Sequence, residues 1–118
     1  MKNMLLLIFF LHSISSFAQN DFGTPEERAE KMTGEMHKAM CLSKNQKDSI
    51  HVLNLKYARR IQQEVIDTEL NTWQQYRQAK KINRSKEKEL LPLLTTEQRT
   101  AYETLKEAKT KEMWKRIF

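Results

Sequence analysis

The sequence predicts an all-α fold, and two features of its composition carry that prediction. The 118 residues include only 2 Gly and 2 Pro, whereas the tight turns between strands depend on those residues. Charged residues make up 31% and hydrophobic ones 39% of the chain, and apolar positions recur at intervals of three and four, as on one face of a helix. The two glycines, Gly23 and Gly34, also cannot form the glycine-rich loops that bind nucleotide phosphates.

The N-terminal residues have the pattern of a secretory signal peptide. Lys2 precedes an apolar run from Met4 to Leu11, and the small residues Ser16 and Ala18 mark a cleavage site. A membrane anchor, the alternative, would need about 20 apolar residues, and this run is shorter. We therefore expect residues 1–18 to be removed by cleavage after Ala18, which leaves an exported protein without a transmembrane segment.

The mature chain is expected to be basic and to carry one thiol. Loss of residues 1–18 removes Lys2 and no acidic residue, so the net charge falls from +6 to +5. For an exported protein this charge favours anionic lipid, lipopolysaccharide or acidic stretches of other proteins over nucleic acid. Cys41 has no second cysteine for an internal disulfide. It remains a buried thiol, a dimer bridge or a metal ligand, and the buried thiol is the simplest expectation.

A polar leader over residues 19–24 precedes the first predicted helix. Thr24 is the expected N-cap, Pro25 takes the first helical position, and Glu27 completes a capping box. The helix is expected to end at about Cys41. Its apolar face comprises Ala29, Met32, Met36, Ala39 and Met40.

The segment from Lys44 to Leu90 contains no Gly or Pro and is predicted to be helical. Its apolar stripe comprises Ile50, Leu53, Tyr57, Ile61 and Val65, with Trp73 and Tyr76 further on. One straight helix of that length would measure roughly 70 Å, which short neighbouring helices cannot cover. We therefore expect a break at 67–72, or as second choice at 83–85, or else a second chain that covers the stripe.

Pro92 ends that segment, and Thr95 with Gln98 starts a last helix that runs to about Ile117. The stretch 106–118 combines basic residues with large apolar ones, a composition that suits a helix lying at a membrane surface. Docking on the neighbouring helices is the simpler interpretation. The expected domain, residues 25–118, therefore has three to four helices, one of them long and bent.

The clearest motif is an internal repeat of the form L-[ST]-x-x-Q. Its first copy runs from Leu42 through Ser43 to Gln46, and its second from Leu94 through Thr95 to Gln98. In each copy the hydroxyl caps a helix, the glutamine reaches back to the cap N–H, and the leucine can pack on the first turn. One copy is an ordinary helix start, whereas two copies in a short, basic, exported chain are far more specific.

On this repeat the sequence resembles the Spy/CpxP family, whose defining feature is the paired LTxxQ motif. The second copy fits the motif fully, and Ser43 replaces threonine in the first. The segments 24–30 and 55–61 are similar to the version found in Bacteroidetes-type bacteria. The resemblance implies an antiparallel, cradle-shaped homodimer in the periplasm with ATP-independent chaperone activity or a role in the envelope stress response.

Catalytic and metal-binding chemistry find less support in the residues. The mature chain has only His37 and His51 and lacks the common hydrolase motifs, so no enzyme and no cofactor are expected. His37 and Cys41 lie four residues apart on one helix, and methionines flank them. That set would suit Cu(I) or Zn(II), but a closed zinc site needs four ligands. We therefore expect no metal, with His37 and Cys41 as the only weak candidates.

The expected function is binding of unfolded or exposed envelope proteins. Cations would attract acidic clients from a distance, and methionine and aromatic side chains would supply adaptable apolar contact. The candidate client-binding residues are Lys56, Arg59, Arg60, Arg77, Lys80 and Lys81. The alternatives are a CpxP-like regulator that docks on one sensor protein and a metal-binding or metal-sensing member of the family.

Overall fold

The computed structural model describes residues 23–117, and within them the chain is all-α. Four α-helices follow one another without an intervening strand in that part of the chain. They are α1 (Pro25–Met40), α2 (Lys44–Ile61), α3 (Thr72–Leu90) and α4 (Thr96–Ile117). A π-helical turn, Gln62–Ile66, extends α2, and a 3-10 turn, Leu91–Leu93, precedes α4. The predicted signal peptide and cleavage site lie outside the described residues.

Each helix starts at a side-chain cap. Thr24 caps α1 and Ser43 caps α2, each within a complete capping box. The hydroxyl of Thr95 accepts from the backbone N–H of Gln98 at 3.1 Å at the start of α4. Asn71 caps α3 in the same way, together with Gln74. These caps satisfy backbone donors that a helix start otherwise leaves without partners.

The long predicted helix breaks between α2 and α3, at the first of the two places that the sequence suggests. The π-helical turn ends at Ile66 with Asp67 as its C-cap, and the new helix begins after Asn71. The hydroxyl of Thr68 donates to the carbonyl of Val65 at 2.7 Å, so a side chain competes with the helical backbone pattern there. The second place, 83–85, remains helical.

Because of this break, α3 folds back along α2 and, together with α1, covers its apolar stripe. Every stripe residue from Ile50 to Val65 is buried, and Ala79, Ile82 and Leu90 of α3 are buried in the same core. Of the alternatives that the sequence leaves open, the break is therefore the one that covers the stripe, and no second chain is needed for it. Trp73 departs from the predicted stripe and is 58% exposed.

The core contains two cationic side chains. Arg28 donates to the carbonyls of Gly23 and Ala58 and to the side-chain oxygen of Gln62, and burial lowers its pKa. Lys86 donates at 3.0 Å to the thioether of Met32. Burial lowers the pKa of Lys86 to about 8, because an apolar surrounding disfavours the charged amine. Both side chains line a cavity of about 30 Å³ between α1, α2 and α3.

Candidate functional site

The two copies of the repeat meet in the folded chain. The amide nitrogen of Gln46 donates to the side-chain oxygen of Gln98 at 2.7 Å, and the amide nitrogen of Gln98 donates back to Gln46 at 3.1 Å. Each glutamine oxygen also accepts the backbone N–H of its own cap residue, Ser43 or Thr95. The repeat thus forms a reciprocal clasp between the starts of α2 and α4.

The clasp extends to the backbone on both sides. Gln46 donates to the carbonyl of Leu93, and Gln98 donates to the carbonyl of Met40, so each glutamine holds the segment that precedes the opposite motif. The leucines that open the motifs, Leu42 and Leu94, are both buried. The two glutamines contact each other, the two hydroxyls cap their helices, and the two leucines lie in the core. All six residues predicted from the motif therefore have a structural role.

The weak metal candidates lie at the end of α1. Cys41 is the C-cap residue in the left-handed region, with φ of 51°, and its N–H donates to the carbonyl of His37. Both side chains are exposed, so the expectation of a buried thiol is wrong. The helix ends at Met40, and Cys41, one residue further on, lies off the apolar face that Met36 and Met40 bury. Residues 23–117 bring no three His, Cys, Asp or Glu side chains together as a metal site.

The three client-binding candidates on α2 are neutralised by carboxylates. Lys56 pairs with Glu89 at 3.1 Å, Arg59 with Glu26 at 3.1 Å, and Arg60 with Glu64 at 2.7 Å. The hydrogen bond from Arg60 lowers the pKa of Glu64. The hydroxyl of Tyr57 also donates to Glu89, and this bond together with Lys56 lowers the pKa of that carboxyl. Since each cation has its own anion, this group offers an incoming acidic segment little unpaired charge.

The three candidates on α3 have a different environment. Arg77, Lys80 and Lys81 are exposed, and none of them forms an ion pair with another described residue. The same holds for Arg84 and Lys88, which the sequence reasoning missed. Their spacing of three and four residues from Arg77 and Lys80 could have identified them in the sequence, because that spacing places them on the same helix face.

Together these side chains form a surface that we call the basic ridge, made of Arg77, Lys80, Arg84 and Lys88. At 100° per residue the four positions fall within a sector of about 80°. The buried residues Ala79, Ile82 and Lys86 occupy the opposite side of α3. The ridge is about 17 Å long, from the rise of 1.5 Å per residue, and Lys81 flanks it.

An aromatic pair stands at the N-terminal end of the basic ridge. The exposed ring of Trp73 stacks on Tyr76 with centroids 5.7 Å apart, and the Lys80 amine lies 5.8 Å from the Tyr76 centroid. Trp73 is one turn before Arg77 and continues the line of the ridge. The surface therefore combines unpaired positive charge with exposed aromatic area.

Two basic residues of α4 form ion pairs with other helices. Lys106 pairs with Glu87 at 2.8 Å, and Lys109 pairs with Glu35 of α1 at 2.6 Å. The hydroxyl of Tyr102 donates to Glu87 as well. These contacts dock the first part of α4 on its neighbours. The described helices contain no stretch with the length and hydropathy needed to cross a bilayer.

A comparison with protein-family models places almost the whole chain in one family. The model described as a domain of unknown function (DUF4890) matches residues 17–116. Neither a curated protein nor a solved structure matches the chain.

Proposed function

The chain belongs to the DUF4890 family, a family of unknown function, and we propose that this member is an ATP-independent periplasmic chaperone-like protein. It binds unfolded or exposed envelope proteins and takes part in the envelope stress response. The signal-peptide pattern of residues 1–18 and the resemblance to Spy/CpxP proteins support the compartment. The resemblance also supports a homodimer, whose contacts would lie outside the stripe that the chain buries by itself.

The single observation that carries the proposal is the basic ridge beside Trp73. Four exposed cations lie on one helix face without an ion pair to any described residue, whereas the three client-binding candidates on α2, Lys56, Arg59 and Arg60, each have a carboxylate partner. A line of uncompensated charge attracts acidic chains over a distance set by the ionic strength.

The aromatic end of the ridge supplies the short-range contact. Trp73 is 58% exposed and rests on Tyr76, so it offers apolar area without reorganisation of the core. Amphipathic aromatic rings make adaptable contacts with many partners at low entropic cost. Binding that combines a charged ridge with one aromatic contact is weak and tolerant of sequence, as a general chaperone requires.

The test is suppression of aggregation by the mature protein, residues 19–118, without nucleotide. Several unrelated acidic proteins are denatured and diluted into buffer with increasing amounts of the protein, and light scattering is followed with client-only controls. Suppression of several clients at a few-fold molar excess is expected. If none is protected at low or physiological salt, the proposal fails, and a regulator that docks on one sensor protein takes its place.

A further inference from the structure

The spacing of charges along the basic ridge is close to that of alternate residues in an extended chain. Successive members, from Trp73 through Arg77 and Lys80 to Lys88, are three or four residues apart on α3. At 1.5 Å per residue, these steps measure about 4.5–6 Å along the helix axis. In an extended segment the side chains on one face recur every two residues, about 6.6 Å apart. The difference between the helix spacing and the extended-chain spacing is small enough for flexible arginine and lysine side chains to span.

From this match we infer that the basic ridge binds extended polypeptide segments that carry acidic residues at alternate positions, with an apolar side chain against Trp73. The inference rests on the proposed function, because it specifies which client segments the chaperone binds. About eight residues of extended chain span the distance from Trp73 to Lys88, since that distance is about 22 Å at the helical rise, so a nine-residue peptide reaches along the whole ridge.

The geometry favours a polypeptide over an anionic membrane. The four cations form one line rather than a plane, and α3 presents the half-buried Glu87 on one side of that line. A lipid surface offers negative charge in two dimensions and would be matched by cations spread over a plane. A single extended strand, by contrast, offers its charges in one line and meets the ridge along its whole length.

The experiment compares two nine-residue peptides of the same composition. Both begin with leucine and contain four glutamates and four serines. In the alternating peptide the glutamates occupy every second position from the third to the ninth, and in the block peptide they occupy the fourth to the seventh. In an extended conformation all four glutamates of the alternating peptide face the ridge, against two of the block. Binding is measured by fluorescence anisotropy of labelled peptide at 0.15 M salt.

We expect the alternating peptide to bind about threefold to tenfold more tightly, which is the effect of two additional exposed ion pairs. In the ridge variant, R77Q/K80Q/R84Q/K88Q, that preference should disappear. A control variant, K31Q/K38Q/K47Q/K111Q, loses the same amount of charge from exposed lysines elsewhere. It should keep the preference for the alternating peptide. Circular dichroism of both variants establishes that they retain the fold.

Three results would overturn the inference. In the first, the wild type binds the two peptides with equal affinity. In the second, the ridge variant still prefers the alternating peptide. In the third, the control variant loses that preference as well. Phosphatidylglycerol vesicles that bind through the ridge and displace the alternating peptide would reassign the surface to lipid, which also overturns it. Peptide preference without any aggregation suppression would refute the proposed function alone. Suppression without peptide preference would refute the inference alone.

Discussion

The side-chain amides of Gln46 and Gln98 donate hydrogen bonds to each other across the junction of α2 and α4. The two residues occupy the same position in the two copies of the repeat, 52 residues apart. Each also caps its own helix and holds the carbonyl that precedes the other motif. The repeat is therefore a pair of matching halves of one structural contact rather than two independent helix starts.

This reciprocity predicts strong coupling between Gln46 and Gln98. Replacement of either glutamine with alanine removes the partner of its cap N–H, its bond to the opposite backbone carbonyl and both bonds to the other amide, so each change should lower the free energy of unfolding by about 1–3 kcal/mol. The double variant should cost less than the sum by about 0.5–1 kcal/mol, because either single change already breaks both bonds between the two amides. Urea unfolding of the four proteins measures this coupling.

Gln74→Ala provides the matched control for that cycle. Gln74 completes the capping box of α3 in the same way, but it forms no described bond to another motif. Gln74→Ala should lower the free energy of unfolding by less than either clasp substitution, and its effect should add to theirs. Additivity of Gln46→Ala and Gln98→Ala would show that the clasp contributes nothing beyond the two separate caps.

Gly34→Ala should stabilise the protein. Gly34 lies within α1, and a Cβ built there meets no atom within 4 Å, so alanine gains helix propensity without steric cost. We expect a gain of about 0.5–1 kcal/mol in the free energy of unfolding. Gly23→Ala is the opposite case, because Gly23 has φ of 72°, and that change should destabilise. A loss of stability in Gly34→Ala would indicate a contact to α1 that this account lacks.

The buried Lys86 predicts that stability rises with pH in a mildly alkaline window. The folded-state pKa is about 8, below the unfolded value near 10.4. Between these values the unfolded chain holds the proton that the folded chain has lost, so the unfolded state binds more protons and stability increases with pH. From pH 8 to 9.5 the gain should be about 1–2 kcal/mol.

Lys86→Met should be more stable than the wild type at pH 7 and should lack this increase. Lys88→Met, a change of an exposed lysine on the same helix, should retain the increase of stability with pH.

The raised pKa values of Tyr57 and Tyr102 favour unfolding only above about pH 10, where an unfolded tyrosine loses its proton first. The measurements therefore stop at pH 9.5. An equal pH slope in the wild type and Lys86→Met would contradict a buried, titrating amine.

Local chemistry made the helix starts and the chain break predictable from sequence. The hydroxyls of Thr24 and Ser43 act on the next turn, and the break before Asn71 follows from side chains that compete for backbone bonds. The pairing of Arg59 with Glu26, which lies on another helix, depends on how the helices rotate against each other. That rotation is set by the whole core, so sequence spacing could not separate paired cations from the unpaired ridge.

Two expectations, for Cys41 and for Trp73, are wrong because sequence spacing alone does not show where a helix ends and the next begins. Cys41 is expected to be buried as the simplest fate of a lone cysteine, but it follows the last residue of α1, and the left-handed cap leaves its side chain exposed. Trp73 follows the long apolar stripe in sequence, but the new helix that begins after Asn71 has a different rotation. Both residues lie at helix boundaries, and the Trp73 error comes from extending one periodicity across such a boundary, where the register of buried positions starts again.

Trp73 is expected to supply the part of client binding that salt does not remove. Trp73→Ala should reduce aggregation suppression at 0.15 M salt more than at 0.01 M, because apolar contact persists when charges are screened. The side chain is exposed, so the change should leave stability nearly unaltered. Light scattering at both salt concentrations, with thermal unfolding as the control, measures this. An equal loss at the two salt concentrations would assign Trp73 no separate apolar contribution.

The most direct test of the account compares the salt dependence of chaperone activity in the ridge variant and the control variant. Raising ionic strength from 0.01 M to 0.15 M shortens the Debye length from roughly 30 Å to 8 Å, so the wild type should suppress aggregation of an acidic client less well at the higher salt. The ridge variant should already show the high-salt level at low salt, with no further dependence, while the control variant behaves nearly as the wild type. Full salt-dependent suppression by the ridge variant, or an equal loss in the control variant, would contradict the basic ridge as the binding surface.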